Sequence, residues 1–331
     1  MTGNPTMIDV AREADVALKT VSRFVNGETN INPAMAERIA AAIAKLGYRR
    51  NLAAASIRPG WTSKTIGLII SDLANPYYST LARAIEGTAR EQGYLVISAS
   101  SDEDGAQHDR LVDRLLEQRV DALIIVPPRD AGRAWSDLPP PLPPLVFLDR
   151  PVDFASSSVI LADNIGGAGD ATSALLAEGA RRIAFVGDSL AIHTMDERHA
   201  GYLTALRRAG IPDEASLTVV GAHSSDEATA AVSALLREDP SVDAVFAANN
   251  RATIGALRAF REVGRRPALI GFDDFEAAQL YEPGVSVVTH DVSEMGALAA
   301  RIVLRSLSGS PAEPETHVLP TRLIFRGSEK L

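Results

Sequence analysis

Six polar side chains, Ser71, Asp72, Ser100, Asp149, Asn249 and Asp273, stand at or just after the ends of short apolar runs. Hydroxyls, carboxylates and an amide in such places bind hydroxyl-bearing ligands through directed hydrogen bonds. Bond-making chemistry finds less support. The chain has no phosphate loop, nucleophile elbow or metal-spaced histidine pair, its six histidines are scattered, and it has no cysteine. That composition excludes disulfides, thiolate metal sites and a cysteine nucleophile. Gly166-Gly-Ala-Gly169 lacks the full dinucleotide fingerprint. The expectation is binding without catalysis, with no cofactor and no metal. A second constellation lies near the start. Lys19 and Arg23 are four residues apart, one helical turn, so both can face one DNA groove and donate to guanine O6 and N7.

From about Thr65 onward, apolar runs rich in β-branched residues alternate with helical patterns. Ile66 to Ile70, Leu95 to Ser98, Ala122 to Val126, Leu145 to Leu148 and Ser158 to Leu161 read as strands, followed by Ile183 to Val186, Ala244 to Ala247, Ala268 to Ile270 and Val285 to Val288. Continuous apolar strands separated by helices indicate parallel sheets covered on both faces, a doubly wound α/β fold formed twice. In such sheets ligands bind beyond the carboxyl ends of the strands, where the polar residues above stand. Asp149, Asn249 and Asp273 could instead cap the loops or helices that follow.

Length fits about two domains plus an appendage, and 46% hydrophobic with 23% charged residues is an ordinary globular composition. No apolar run approaches the ~18 to 20 residues that cross a bilayer, and Met1 to Thr6 is polar rather than a signal peptide, so a cytoplasmic protein without membrane contact is expected. Charge is uneven. Residues 1–60 carry 8 Lys and Arg against 5 Asp and Glu, and the remainder 25 against 37. A basic segment joined to an acidic body suggests that only the segment meets a polyanion.

Within that segment Thr6, with Asp9 three residues on, can cap a first helix running to about Glu13. Asp15 marks a tight turn before a second helix closed by Gly27, and Pro33 starts a third that stops at Gly47. Three short helices with a tight turn between the first two form a helix-turn-helix, whose second helix fits the major groove. Its polar positions are Lys19, Thr20, Ser22, Arg23 and Asn26.

The run from Thr6 to Gly27, then Ala41 to Tyr48 and the linker Asn51-Leu-Ala-Ala-Ala-Ser-Ile57, resembles the headpiece of LacI/GalR bacterial transcriptional regulators. The resemblance implies DNA contacts from Leu18, Lys19, Thr20, Ser22, Arg23 and Asn26. It also implies a hinge helix in which Asn51 and Ala54 take part and Ile57 wedges into the minor groove. Three residues depart from the family pattern: Asp15 where glycine is usual, Ala17 in place of a serine cap, and Arg50 where proline is common.

Ile66 to Tyr78, Phe147-Leu-Asp-Arg150, Ala248-Asn-Asn250 and Gly271-Phe-Asp-Asp274 resemble later landmarks of the same family. This implies two Rossmann-like lobes of the periplasmic-binding-protein type. On this resemblance residues 1–49 form the headpiece, 50–63 the hinge helix and linker, and 64–331 an effector-binding and dimerisation domain. One lobe takes about 64–161 plus 290–319, and the other about 162–289 plus 320–331. Ser71, Asn75, Tyr77, Tyr78, Asp149, Arg198, Asn249 and Asp273 would line the cleft between them. Asn250 departs from the acid often found there. His193 and Thr194 are expected in a loop before Arg198 that reaches the ligand or stays at the surface.

The implied function is sequence-specific regulation of transcription, as a repressor whose operator affinity is set by a small molecule, a sugar or related metabolite. The implied partners are palindromic double-stranded operator DNA, the effector and a second copy of the chain, with a homodimer favoured because no heptad-patterned extension follows Arg326. Three alternatives stand beside it: a solute-binding protein with the same body, a nucleoside- or purine-responsive regulator, and a doubly wound enzyme carrying a DNA-binding segment.

Overall fold

A computed structural model describes residues 5–28, 30–49, 62–130, 133–310 and 313–331. Asn51, Ala54 and Ile57, and with them the expected hinge helix, lie outside the described residues. The chain divides into two units, Met1–Ser63 and Lys64–Leu331.

Among its described residues the first unit has three helices, α1 (Met7–Glu13), α2 (Leu18–Val25) and α3 (Pro33–Leu46). Thr6 and Asp9 form the reciprocal capping box at the start of α1, which satisfies backbone donors that the first turn leaves free. Helix α2 starts at Ala17 with no side-chain cap. Asn32 caps α3, which stops at Gly47 in the left-handed region. Val10, Ala11, Ala14, Val21, Ile39 and Ala42 form a small common core.

The second unit contains two six-stranded sheets. The first contains β1 (Thr65–Ile70), β2 (Leu95–Ser100), β3 (Ala122–Ile125), β4 (Leu145–Leu148), β5 (Ser158–Ala162) and β11 (Thr316–Leu319), in the order β11-β5-β4-β3-β1-β2 and all parallel. Alternate residues feed opposite cores: Ile66, Leu68 and Ile70 one face, Ile69, Leu123, Ile125 and Phe147 the other. Both faces are therefore apolar, which accounts for the unbroken hydrophobic runs. Gly67 has no room for a side chain, because a Cβ there would stand 2.7 Å from Leu123 Cδ2.

The second sheet contains β6 (Ile183–Val186), β7 (Thr218–Val219), β8 (Ala244–Ala247), β9 (Ala268–Phe272), β10 (Ser286–Thr289) and β12 (Arg322–Ile324), in the order β12-β10-β9-β8-β6-β7. Only β12 runs antiparallel. The chain passes from the first sheet to the second after β5, returns after β10, and crosses again between β11 and β12.

The covering helices are α4 (Pro76–Glu91), α5 (Gly105–Glu117), α6 (Asn164–Ala177), α7 (His193–Arg208), α8 (Ser225–Glu238), α9 (Asn250–Val263) and α10 (Val292–Leu307). Helix α4 packs on α10, α6 on α7, and α8 on α9. Strands β7, β11 and β12 are not among the sequence-read strands. They are two to four residues long and partly exposed, so they lack the buried apolar run that marks the others apart from β2, which is itself largely exposed.

Candidate ligand cleft and nucleic-acid interface

In the body the carboxyl ends of both sheets border a cleft, the place where open α/β sheets take their ligands. All eight residues that the family resemblance implies, Ser71, Asn75, Tyr77, Tyr78, Asp149, Arg198, Asn249 and Asp273, line it.

Two of them are placed by matching backbone devices. Asp149 follows β4 with φ 69° and Asp273 follows β9 with φ 68°, the left-handed region that aspartate enters more readily than most residues. Each backbone N–H donates to the neighbouring strand, Asp149 to Ile160 O at 2.9 Å and Asp273 to Val288 O at 2.8 Å. Both side chains are buried at the cleft.

Tyr77 ties one wall together. Its hydroxyl donates to Asp149 Oδ1 at 3.2 Å and lies 3.4 Å from His290 Nε2, while its ring meets Tyr78 edge-on with centroids 5.0 Å apart. Burial, then the Asp149 charge, pushes the Tyr77 hydroxyl well above the ordinary tyrosine range, so it stays a neutral donor. Burial also holds His290 below the usual histidine value, against the pull of Asp273 and Asp149.

Arg198 organises the opposite wall. It donates through Nε to Asn164 Oδ1 at 2.9 Å, and through Nη1 to Ala248 O at 2.7 Å and Asp273 Oδ2 at 3.2 Å. Its guanidinium stacks 3.7 Å above the centre of the Phe272 ring. Asn249 caps α9 by accepting from Ala252 N–H at 2.7 Å, and Asn75 caps α4 by accepting from Tyr77 N–H at 3.0 Å. Capping and cleft lining thus coexist at both asparagines.

Glu103, Arg150, Asp188, His223 and Arg251 also line the cleft and are not among the residues expected there from the sequence. Arg150 makes a buried two-point contact with Glu103, at 2.6 and 2.7 Å. Burial is the largest single influence and opposes both charges, but the hydrogen bonds and opposite charges around the pair together outweigh it, raising the arginine and lowering the carboxylate from their ordinary values. Asp188, after β6, meets His223 Nδ1 at 2.9 Å. The strand-end rule that singled out Asp149 applies to Asp188 as well and could have found it. Thr194 is buried at the cleft within the first turn of α7, which begins at His193, so this stretch is helix rather than loop. His193 instead pairs with Glu197 at 3.2 Å.

In the first unit Leu18, Lys19 and Asn26 are exposed on α2 or at its end, while Thr20, Ser22 and Arg23 are half-buried. Arg23 donates to Glu28 Oε2 at 2.6 Å and Asn30 O at 2.9 Å. Its head is therefore held by residues just beyond the helix. Asp15 takes the tight turn with φ 49°, a conformation that glycine reaches without steric cost.

Among known proteins, residues 6–51 match the model of bacterial regulatory proteins of the lacI family, and residues 172–329 match a periplasmic binding protein-like domain. The chain is 33% identical to the HTH-type transcriptional regulator CelR of Thermobifida fusca, covering 98% of both chains. It is 30% identical to catabolite control protein A of Priestia megaterium, covering 99% of this chain and 100% of that protein. A lac repressor dimer bound to operator and an anti-inducer superposes with a TM-score of 0.83 at 25% identity, over 99% of this chain and 100% of that one. A CelR–cellobiose complex gives 0.70 at 32% identity, over 98% and 99%.

Proposed function

We propose, from the premise that this chain belongs to the lacI family of bacterial regulatory proteins, that it is a sequence-specific repressor whose hold on DNA is set by a sugar in the cleft of its body. It regulates transcription rather than catalysing a reaction, as its relatives do. Two copies would present two α2 helices to a palindromic operator. Leu18, Lys19, Thr20, Ser22, Arg23 and Asn26 would meet the major groove, and Asn51, Ala54 and Ile57 the centre of the site.

The observation that carries the sugar reading is charge pairing in the cleft. Arg150 is engaged by Glu103, Arg198 by Asp273, and Arg251 by Asp72. Each arginine that lines the cleft already has a carboxylate partner, so the site suits an uncharged, hydroxyl-rich molecule better than a phosphate. Asp149, Arg198, Asn249 and Asp273 would take hydroxyl pairs, with Tyr77 and Tyr78 offering ring surface. Among relatives, CelR has been seen with cellobiose.

No helix among the described residues is long and apolar enough to cross a membrane, in keeping with work in the cytoplasm on chromosomal DNA. The proposal is tested by thermal shift of the full chain against neutral sugars, sugar phosphates and nucleosides. A ligand at 100 times its Kd stabilises the folded form by about 2.7 kcal/mol. Stabilisation by a neutral sugar is expected, and a response confined to sugar phosphates or nucleosides would overturn the sugar assignment.

A further inference from the structure

Two polar contacts cross the cleft from the loop after β1 to the start of α9. Arg251 Nη2 donates to Asp72 Oδ2, and Asn250 Nδ2 donates to Asn75 Oδ1 at 2.7 Å. We propose that these two pairs form a latch that holds the lobes closed over the cleft, and that must open for a ligand to enter.

Both ends are set in advance. On one wall, Asp72 Oδ1 accepts from Ala74 N–H at 2.8 Å, and Asn75 N–H donates back to Asp72 O at 3.1 Å, so the loop is a tight turn with both acceptors facing α9. On the other, Arg251 Nη1 donates to His223 O at 3.1 Å, which fixes the guanidinium while Nη2 reaches across. Holding a long side chain from its own lobe lowers the entropy lost on closing.

Asn75 Oδ1 accepts at once from Tyr77 N–H and Asn250 Nδ2. The capping geometry of α4 therefore also aims the acceptor at α9. An ionised aspartate at position 250 would have no donor for Asn75 Oδ1, so the contact requires a donor-bearing side chain there, which asparagine supplies. The ion pair is only partly screened, each side chain being 25% exposed. His223 Nε2 approaches Asp102 Oδ1 across the same mouth at 3.8 Å, too far for a hydrogen bond. Two discrete contacts that a ligand must break, and can let reform, make closure a population that substitutions shift.

The latch is tested without knowing the ligand. The chain has no cysteine, so Thr80→Cys and Ala230→Cys, at exposed positions on α4 and α8, take a spin-label pair reporting the distance between lobes by pulsed electron resonance. With the latch intact, ligand-free protein is expected to give one short-distance population. Arg251→Ala and Asp72→Ala should each add a longer one, and the exchange Asp72→Arg with Arg251→Asp should remove it again. Circular dichroism confirms that each variant is folded. Distances unchanged in both alanine variants, or an exchange that leaves the longer population, would overturn the latch.

Discussion

Arg198 and Asp273 meet at 3.2 Å in the wall of the cleft, the arginine 3% and the aspartate 10% exposed at the side chain. Asp273 Oδ1 is buried and has no hydrogen-bond partner among the described residues, so one carboxylate oxygen balances the buried guanidinium while the other is left unpartnered. We propose a division of roles between these two atoms, Oδ2 holding Arg198 and Oδ1 taking a ligand hydroxyl.

Asp273→Ala leaves the buried Arg198 charge without its partner, a change that costs on the order of 3 to 5 kcal/mol. Asp273→Asn keeps the shape and one acceptor and should cost less. Chemical denaturation of both variants measures the difference, while thermal shift with sugar should be lost in both. Equal stability of the alanine variant and the native chain would refute this division of roles.

Acid should weaken the body through its buried histidines. His108 and His290 are held below the ordinary value of 6.5, in each case first by burial. The folded state therefore binds fewer protons than the unfolded chain once pH drops below about 6.5. Their contribution is intact above that value and declines as pH falls through the folded values, so Tm should drop between pH 7 and 5. His290→Gln should flatten the drop, and an identical slope in that variant would show that His290 takes no part.

The legibility of the chain in its sequence follows from burial and from where contacts arise. Strands buried on both faces, such as Leu145–Leu148, announce themselves as apolar runs, and Thr6 with Asp9 is a local cap readable in four residues. Asp72 with Arg251 and Glu103 with Arg150 join residues far apart in the chain, and no local period encodes them. Asn250 was visible as a departure from family pattern, but its reason, a donor aimed at Asn75, exists only once the walls face each other.

The two blemishes of the first unit should be reparable. Helix α2 lacks a side-chain cap at Ala17, and Ala17→Ser should add about 1 kcal/mol of stability. Asp15→Gly relieves a positive φ and should stabilise as well, its distant 3.9 Å approach to Arg38 being a small loss. Urea denaturation of the residue 1–63 unit within the full chain, followed by its helical signal, checks both. A loss of stability in Ala17→Ser would contradict the cap argument.

Arg23→Ala should weaken binding to a selected operator by about 1 to 3 kcal/mol and relax preference at one base pair. Lys19→Ala should act at a neighbouring position. Competition gel shifts with single-base operator variants separate base readout from phosphate contact, because uniform weakening on every duplex would assign Arg23 to the backbone.

A ligand-controlled repressor couples DNA binding in the first unit to ligand binding in the second, and one titration measures both. Duplexes selected by the full chain from a random pool are labelled, and fluorescence anisotropy records affinity with and without the sugar that stabilises the protein. A palindromic consensus, strong preference over random duplex, and an affinity change of about 5- to 150-fold on adding sugar, the usual range of coupling between sites, are expected. Failure to select any sequence at low salt, or an operator affinity that the bound sugar leaves unchanged, would contradict the repressor assignment.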